Sequence, residues 1–159
     1  MARDQGSAEV KQRGADILIV ASAMCGAGRI TDWETFQERT TVDVSDALLG
    51  AALRRCLLSS RSMSAEWMAA RINAPDYRER LTLAFGLASS RSLFSGMKDV
   101  SVEWGFGEVN CGPSRNRGGG RFDGFEAGAD AGHEDVVVAF SRSDPELGAA
   151  LREALRRCV

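Results

Sequence analysis

The segments Ser45–Leu57 and Ser143–Leu155 match each other without a gap, and nine of their thirteen positions are identical. Ser45, Asp46, Leu49, Gly50, Ala51, Ala52, Leu53, Arg54 and Leu57 recur as Ser143, Asp144, Leu147, Gly148, Ala149, Ala150, Leu151, Arg152 and Leu155. Leu49, Leu53 and Cys56 with Leu57 repeat at helical spacing, while Arg54, Arg55 and Ser59 face away, so each copy reads as an amphipathic helix. Ser45 is placed to cap the first, with Asp46 favouring its positive start, and Ser143 with Glu146 has the spacing of a capping box in the second. A glycine inside a helix costs about 1 kcal/mol relative to alanine, so Gly50 and Gly148 at one register imply a close approach to the helix backbone, with packing onto a sheet the expected cause. Each copy follows a β-branched run. A chain built this way is expected to be an α/β domain, a central mixed β-sheet with flanking helices and two pseudo-repeated strand-helix units.

The remaining segments fit that plan. Ile17–Ser22 is an apolar, partly β-branched run closed by Gly26 and Gly28, the pattern of a buried strand and turn. Further strands are expected around Arg29–Gln37 and Thr40–Val44. The first repeated helix should run to about Ser60, followed by helices over Ser64–Ile72 and Pro75–Leu87, the latter with proline in its first turn. Val100, Val102 and Trp104 alternate with Ser101 and Glu103, the period of a strand with one buried face, and Glu108–Cys111 can pair with it. Gly112–His133 is glycine-rich and reads as a long mobile loop. Glu134–Phe140 should form a strand and Ser143–Cys158 the last helix. Met1–Gly14 reads as a polar N-terminal tail, and residues 15–159 as one domain.

Composition narrows the function classes. The chain of 159 residues has a formal charge of −2, which disfavours a nucleic-acid binder that relies on neutralising phosphates. Its longest apolar run, Ile17–Ala21 with Ala23–Cys25 beyond Ser22, falls far short of the roughly 20 residues of a membrane span. No secretion signal is recognisable at the N-terminus, and the expected location is the cytoplasm. Cys25, Cys56, Cys111 and Cys158 form no CxxC pair and His133 is the lone histidine, so no metal or cofactor is expected and the cysteines read as small hydrophobes.

Four kinds of chemistry are suggested by local motifs. Cys25-Gly26-Ala27-Gly28 follows a strand, but the third glycine of a dinucleotide fingerprint would fall at Thr31 and is missing. His133 with Glu103 or Glu108 would be the acid-base set of a small enzyme. Arg115, Arg117 and Arg121 in a glycine-rich stretch would be the core of an RNA-contacting module, although no aromatic platform accompanies them. Phe122–Asp135 carries Asp123, Glu126, Asp130, Glu134 and Asp135 with no lysine or arginine, an anionic surface able to steer a basic protein.

The order of motifs resembles one family. An early strand is followed by Leu49-Gly50-Ala51-Ala52-Leu53 through Ser59-Ser60-Arg61, then Tyr77–Phe85, Ser92-Leu93-Phe94-Ser95-Gly96-Met97, a strand ending near Gly112-Pro113, and Leu147-Gly148-Ala149-Ala150-Leu151 through Arg157-Cys158. This pattern is similar to that of the immunity proteins of bacterial contact-dependent growth inhibition (CDI). The resemblance implies a cytoplasmic, non-catalytic protein that binds and neutralises a cognate CDI toxin domain, frequently a nuclease, as a monomer in a 1:1 complex. The family motifs look structural, so the interface is expected on the unrepeated surface: Glu103, Trp104, Phe106 and Glu108 of the hairpin, with Asp123, Glu126, Asp130, Glu134 and Asp135.

Overall fold

In Gln5–Arg13, Ala8 and Val10 alternate with Ser7, Glu9 and Lys11, and the segment forms the first strand, β1, of the computed structural model. The structure describes residues 5–26, 28–72, 76–126 and 128–159. β1 lies at the middle of the sheet, paired antiparallel on one side with β2 (Asp16–Cys25) and on the other with β6 (Lys98–Gly105). This corrects the expectation of a polar tail over residues 1–14; Met1–Asp4 lie outside the described residues. The physical reason is that both faces of β1 are covered: Ala8 and Val10 enter one core, and Lys11 is buried against acidic partners on the other side.

The sheet runs β3-β2-β1-β6-β7-β8, with β3 at Gly28–Thr31, β7 at Glu108–Asn116 and β8 at Phe122–Gly124. Along β2, residues Asp16–Val20 pair with β4 (Gln37–Thr41), and Ser22–Cys25 pair with β3. Along β7, residues Glu108–Cys111 pair with β9 (Val136–Ala139), and Ser114–Asn116 pair with β8. β4 leads into helix α1 (Asp46–Ser59), and β9 into the last helix, α4 (Asp144–Arg157). The fold is therefore two copies of a four-strand-and-helix unit related by a pseudo-twofold between β1 and β6. In that relation Val10 matches Val102, and both point to the helix side. Between the copies is inserted an unrepeated segment holding β5 (Arg61–Ser62), α2 (Ala65–Ile72) and α3 (Tyr77–Ala84). β5 pairs parallel with Ala23–Met24, which makes the otherwise antiparallel sheet mixed.

α1 and α4 pack on each other and on one face of the sheet, burying Leu49, Leu53, Leu57, Leu147 and Leu151 against Ile17, Ile19, Val100, Val102 and Val109. A Cβ on Gly50 would stand 1.7 Å from the Asp144 carbonyl oxygen, and one on Gly148 would stand 1.9 Å from that of Asp46. The close approach inferred from the glycines is thus helix against helix, reciprocal between the copies, and not helix against sheet. On the opposite face, Leu18 carries a second apolar cluster of Leu81, Phe85, Leu93, Phe94 and Met97.

The segment expected to be a mobile loop, Gly112–His133, contains strand residues at two places among the described residues. Gly112–Asn116 belongs to β7 and Phe122–Gly124 forms β8. The glycines serve local geometry: Gly118, Gly119 and Gly120 all have positive φ in the turn between the two strands. The helix expected from Pro75 begins at Tyr77 in the described residues, and Pro75, like Ala27 of the Cys25–Gly28 motif, lies outside them.

Candidate functional site

The β6–β7 hairpin places its expected interface residues unequally. Phe106 sits at the tip, fully exposed, with φ of 52°, a left-handed conformation uncommon for a side chain of its size. Trp104 is a core residue, 9% exposed, stacked on Phe140 at 4.0 Å between ring centres. Glu103 is paired with Arg29 at 2.8 Å, and Glu108 stays exposed beside it across the groove that Phe106 borders.

The acidic run is less free than its composition implies. Asp123 accepts from Arg117 at 3.0 Å and Arg121 at 3.3 Å, which hold its carboxyl below the usual range; Asp130 pairs with Arg115 at 3.4 Å. The three arginines expected of an RNA module are therefore partnered within the chain. The Glu134 carboxylate accepts from its own backbone N–H and from that of Gly132, which lowers its pKa. Glu126 is exposed, and Asp135 lines a shallow groove with Glu103, Asn110 and Phe125. His133 stacks on Phe125 at 4.4 Å and donates from Nδ1 to the Arg157 carbonyl at 2.5 Å. Glu103 is engaged instead with Arg29, so the structure does not join this histidine to that carboxylate.

A better-formed site lies where the inserted helices roof the outer face of the sheet, and sequence reasoning missed it. Its construction begins with Asp32, whose buried carboxylate accepts from the Glu34 N–H at 3.1 Å, from Thr35 and from Arg61 Nε at 2.6 Å. Arg61 also reaches Glu34 at 2.7 Å, and Arg71 of α2 reaches the same carboxylate at 3.0 Å, so both lower the Glu34 pKa. Both guanidiniums lie against the Trp67 ring, Arg61 at 5.3 Å and Arg71 at 4.2 Å from its centre. This network fastens α2 to the turn after β3 and presents Trp33, which meets Tyr77 of α3 at 6.1 Å with the rings tilted by 54°.

These residues enclose a cavity of about 290 Å³ whose wall includes Glu9, Arg29, Trp33, Trp67, Tyr77 and Arg80. Glu9 accepts from Thr31 Oγ1 at 2.8 Å and from the Tyr77 hydroxyl at 3.5 Å. Beneath it, buried Lys11 donates to Asp99 at 2.5 Å and stands 3.6 Å from Glu9. Burial alone would lower the Lys11 pKa, but the carboxylates of Glu9 and Asp99 outweigh it and raise it. Burial also raises Asp99, and it pushes the Tyr77 phenol up to about 12, with Glu9 adding to the effect. The cavity combines aromatic walls with an anionic floor, a setting for a bound cation. Its described lining contains neither histidine nor cysteine. Among the described residues no group of histidine, cysteine and carboxylate side chains could hold a metal ion, and no helix is long and apolar enough to cross a membrane.

A two-copy α/β unit with a mixed, mostly antiparallel sheet and a reciprocal helix pair defines the class of protein. The model of the CdiI, CDI immunity protein, family matches residues 7–158, and the chain belongs to that family. No curated protein matches it. Among solved structures, a protein of unknown function from Neisseria meningitidis is 23% identical with a TM-score of 0.81, over 98% of this chain and 96% of that one. A CdiA-CT/CdiI toxin and immunity complex from Yersinia pseudotuberculosis contains a chain that is 21% identical with a TM-score of 0.80, over 99% of both chains. The fold is shared with both.

Proposed function

We propose that this protein binds the toxic C-terminal domain of a CDI effector and neutralises it inside the cell, as a stoichiometric partner and not as a catalyst. The observation that carries this reading is the family match over residues 7–158. The shared fold with a chain of a toxin and immunity complex supports it. A nuclease is the toxin class that fits best, because sites that handle phosphates present cationic side chains, and this chain offers acidic and aromatic surfaces to receive them. The expected interface includes the fully exposed Phe106 with Glu103 and Glu108, together with Glu126, Glu134 and Asp135 on the neighbouring surface; Asp123 and Asp130 would take part through their arginine pairs. Trp104 would contribute by supporting the hairpin from below.

The test is co-expression with the C-terminal toxin domain of a candidate cognate CDI effector. Cells that die from the toxin alone should survive when this chain is present, and the two proteins should co-purify. Continued killing, with no complex recovered, would refute the reading.

A further inference from the structure

We infer that the cavity between Glu9, Trp33 and Tyr77 seats a lysine or arginine side chain of the toxin; this rests on the toxin-binding function proposed above. The charge balance at its floor is uneven. Glu9 and Asp99 present two carboxylates to one ammonium, and Lys11 bonds Asp99 at 2.5 Å but lies 3.6 Å from Glu9. Glu9 therefore carries the surplus negative charge, and a fifth of its side chain is open to the cavity.

The arginines at the rim do not neutralise it, since each is already paired with another acid: Arg29 with Glu103 at 2.8 Å, Arg71 at 3.0 Å with the Glu34 it shares with Arg61, and Arg80 with Asp76 at 2.6 Å. The aromatic walls are also incompletely used. Trp67 already holds two guanidiniums, whereas among the described residues no cation lies over Trp33 or Tyr77. A ring face within roughly 6 Å of a cation attracts it, and the attraction grows as water is excluded. The volume of about 290 Å³ lies just below the range of drug-sized ligand sites, roughly 300–1,000 Å³, and suits one long side chain.

The pseudo-symmetry isolates the feature. In the second copy Ser101 stands where the first has Glu9, and the α2–α3 insertion occurs only once. The cavity thus forms where the unrepeated insertion covers strands β1 and β3 of the first copy.

The experiment measures the Kd of the cognate toxin domain for the wild-type chain and for Glu9→Gln, Trp33→Leu and, as a control on the exposed face of α3, Glu79→Gln. Thermal melting establishes that each variant is folded. Glu9→Gln and Trp33→Leu should weaken binding by roughly tenfold or more, as expected for removing one partner of a desolvated charge contact, with Glu79→Gln unchanged. If Trp33→Leu does not fold, Glu9→Gln decides. A double-mutant cycle against each toxin lysine and arginine should find one residue coupled to Glu9, which a purely structural role would not produce. Wild-type affinity in folded Glu9→Gln, or no coupled toxin residue, overturns the cation seat while leaving toxin binding intact. A wild-type chain that binds no toxin overturns both.

Discussion

Arg54 of α1 donates from Nε to Asp144 in the first turn of α4 at 2.7 Å, and Arg152 of α4 returns the contact to Asp46 in the first turn of α1 at 2.8 Å. The remaining guanidinium nitrogens complete the match. Arg54 bonds the carbonyls of Phe140 and Arg142, and Arg152 bonds those of Val42 and Val44. Each arginine therefore ties the other copy's strand-to-helix turn to its own helix. The repeated arginine reads from sequence as a residue facing away from the core, yet it is the polar clasp of the pseudo-dimer.

Replacing Arg54 with methionine should cost about 1–2 kcal/mol, since charged hydrogen bonds to three acceptors are lost but Arg54 and Asp144 are partly exposed and screened. Arg152→Met should cost about the same. Urea denaturation of the two variants measures both, and a neutral effect at either site would contradict the clasp.

Gly50→Ala and Gly148→Ala should each be damaging although alanine is the better helix former. The added methyl meets a backbone carbonyl at 1.7 or 1.9 Å, so α1 and α4 must separate. Overpacking of this kind costs about 1–3 kcal/mol or more, and calorimetry should show a clear fall in Tm for both variants.

The thiols give a test of the core. Cys56, Cys111 and Cys158 are buried, Cys25 is half-buried, and all are free. Burial pushes the Cys111 thiol up to about 12 and raises Cys56 and Cys158 as well. Reaction with an aromatic disulfide reagent at neutral pH should modify Cys25 alone in the native protein and all four after denaturation.

Tyr77 is the only tyrosine, so its titration can be followed without ambiguity by ultraviolet absorbance. The phenol is expected to ionise near pH 12 in place of its ordinary 10. Because the folded pKa is raised, the protonated form favours folding: the contribution is complete below pH 10 and disappears as the pH climbs through 12. Tyr77→Phe should remove that part of the alkaline loss of stability.

The repeated helices were legible because leucine spacing, capping serines and an in-helix glycine all point to the same element. β1 was not, because Ala8 and Val10 are its only large or aliphatic core contributions, and its polar face is buried through the Lys11–Asp99 pair, a long-range contact with no local signal. The glycine-rich stretch after Gly112 misled for a related reason. Glycines promise mobility, but β-pairing of Ser114–Asn116 and the Arg117–Asp123 bond fix its first part. The hairpin with Phe106 at its tip followed directly from period-two alternation. The cavity could not be read at all, since Glu9, Trp33, Trp67 and Tyr77 come from separate segments and meet only through the Asp32–Arg61–Glu34 network.

The central claim, that this chain is the partner which silences a CDI toxin domain, is tested most directly by mixing the purified toxin domain with increasing amounts of the chain and measuring residual toxin activity. The account predicts loss of activity that is complete near one equivalent, with a stable complex on gel filtration. Full toxin activity in the presence of excess folded chain would contradict it.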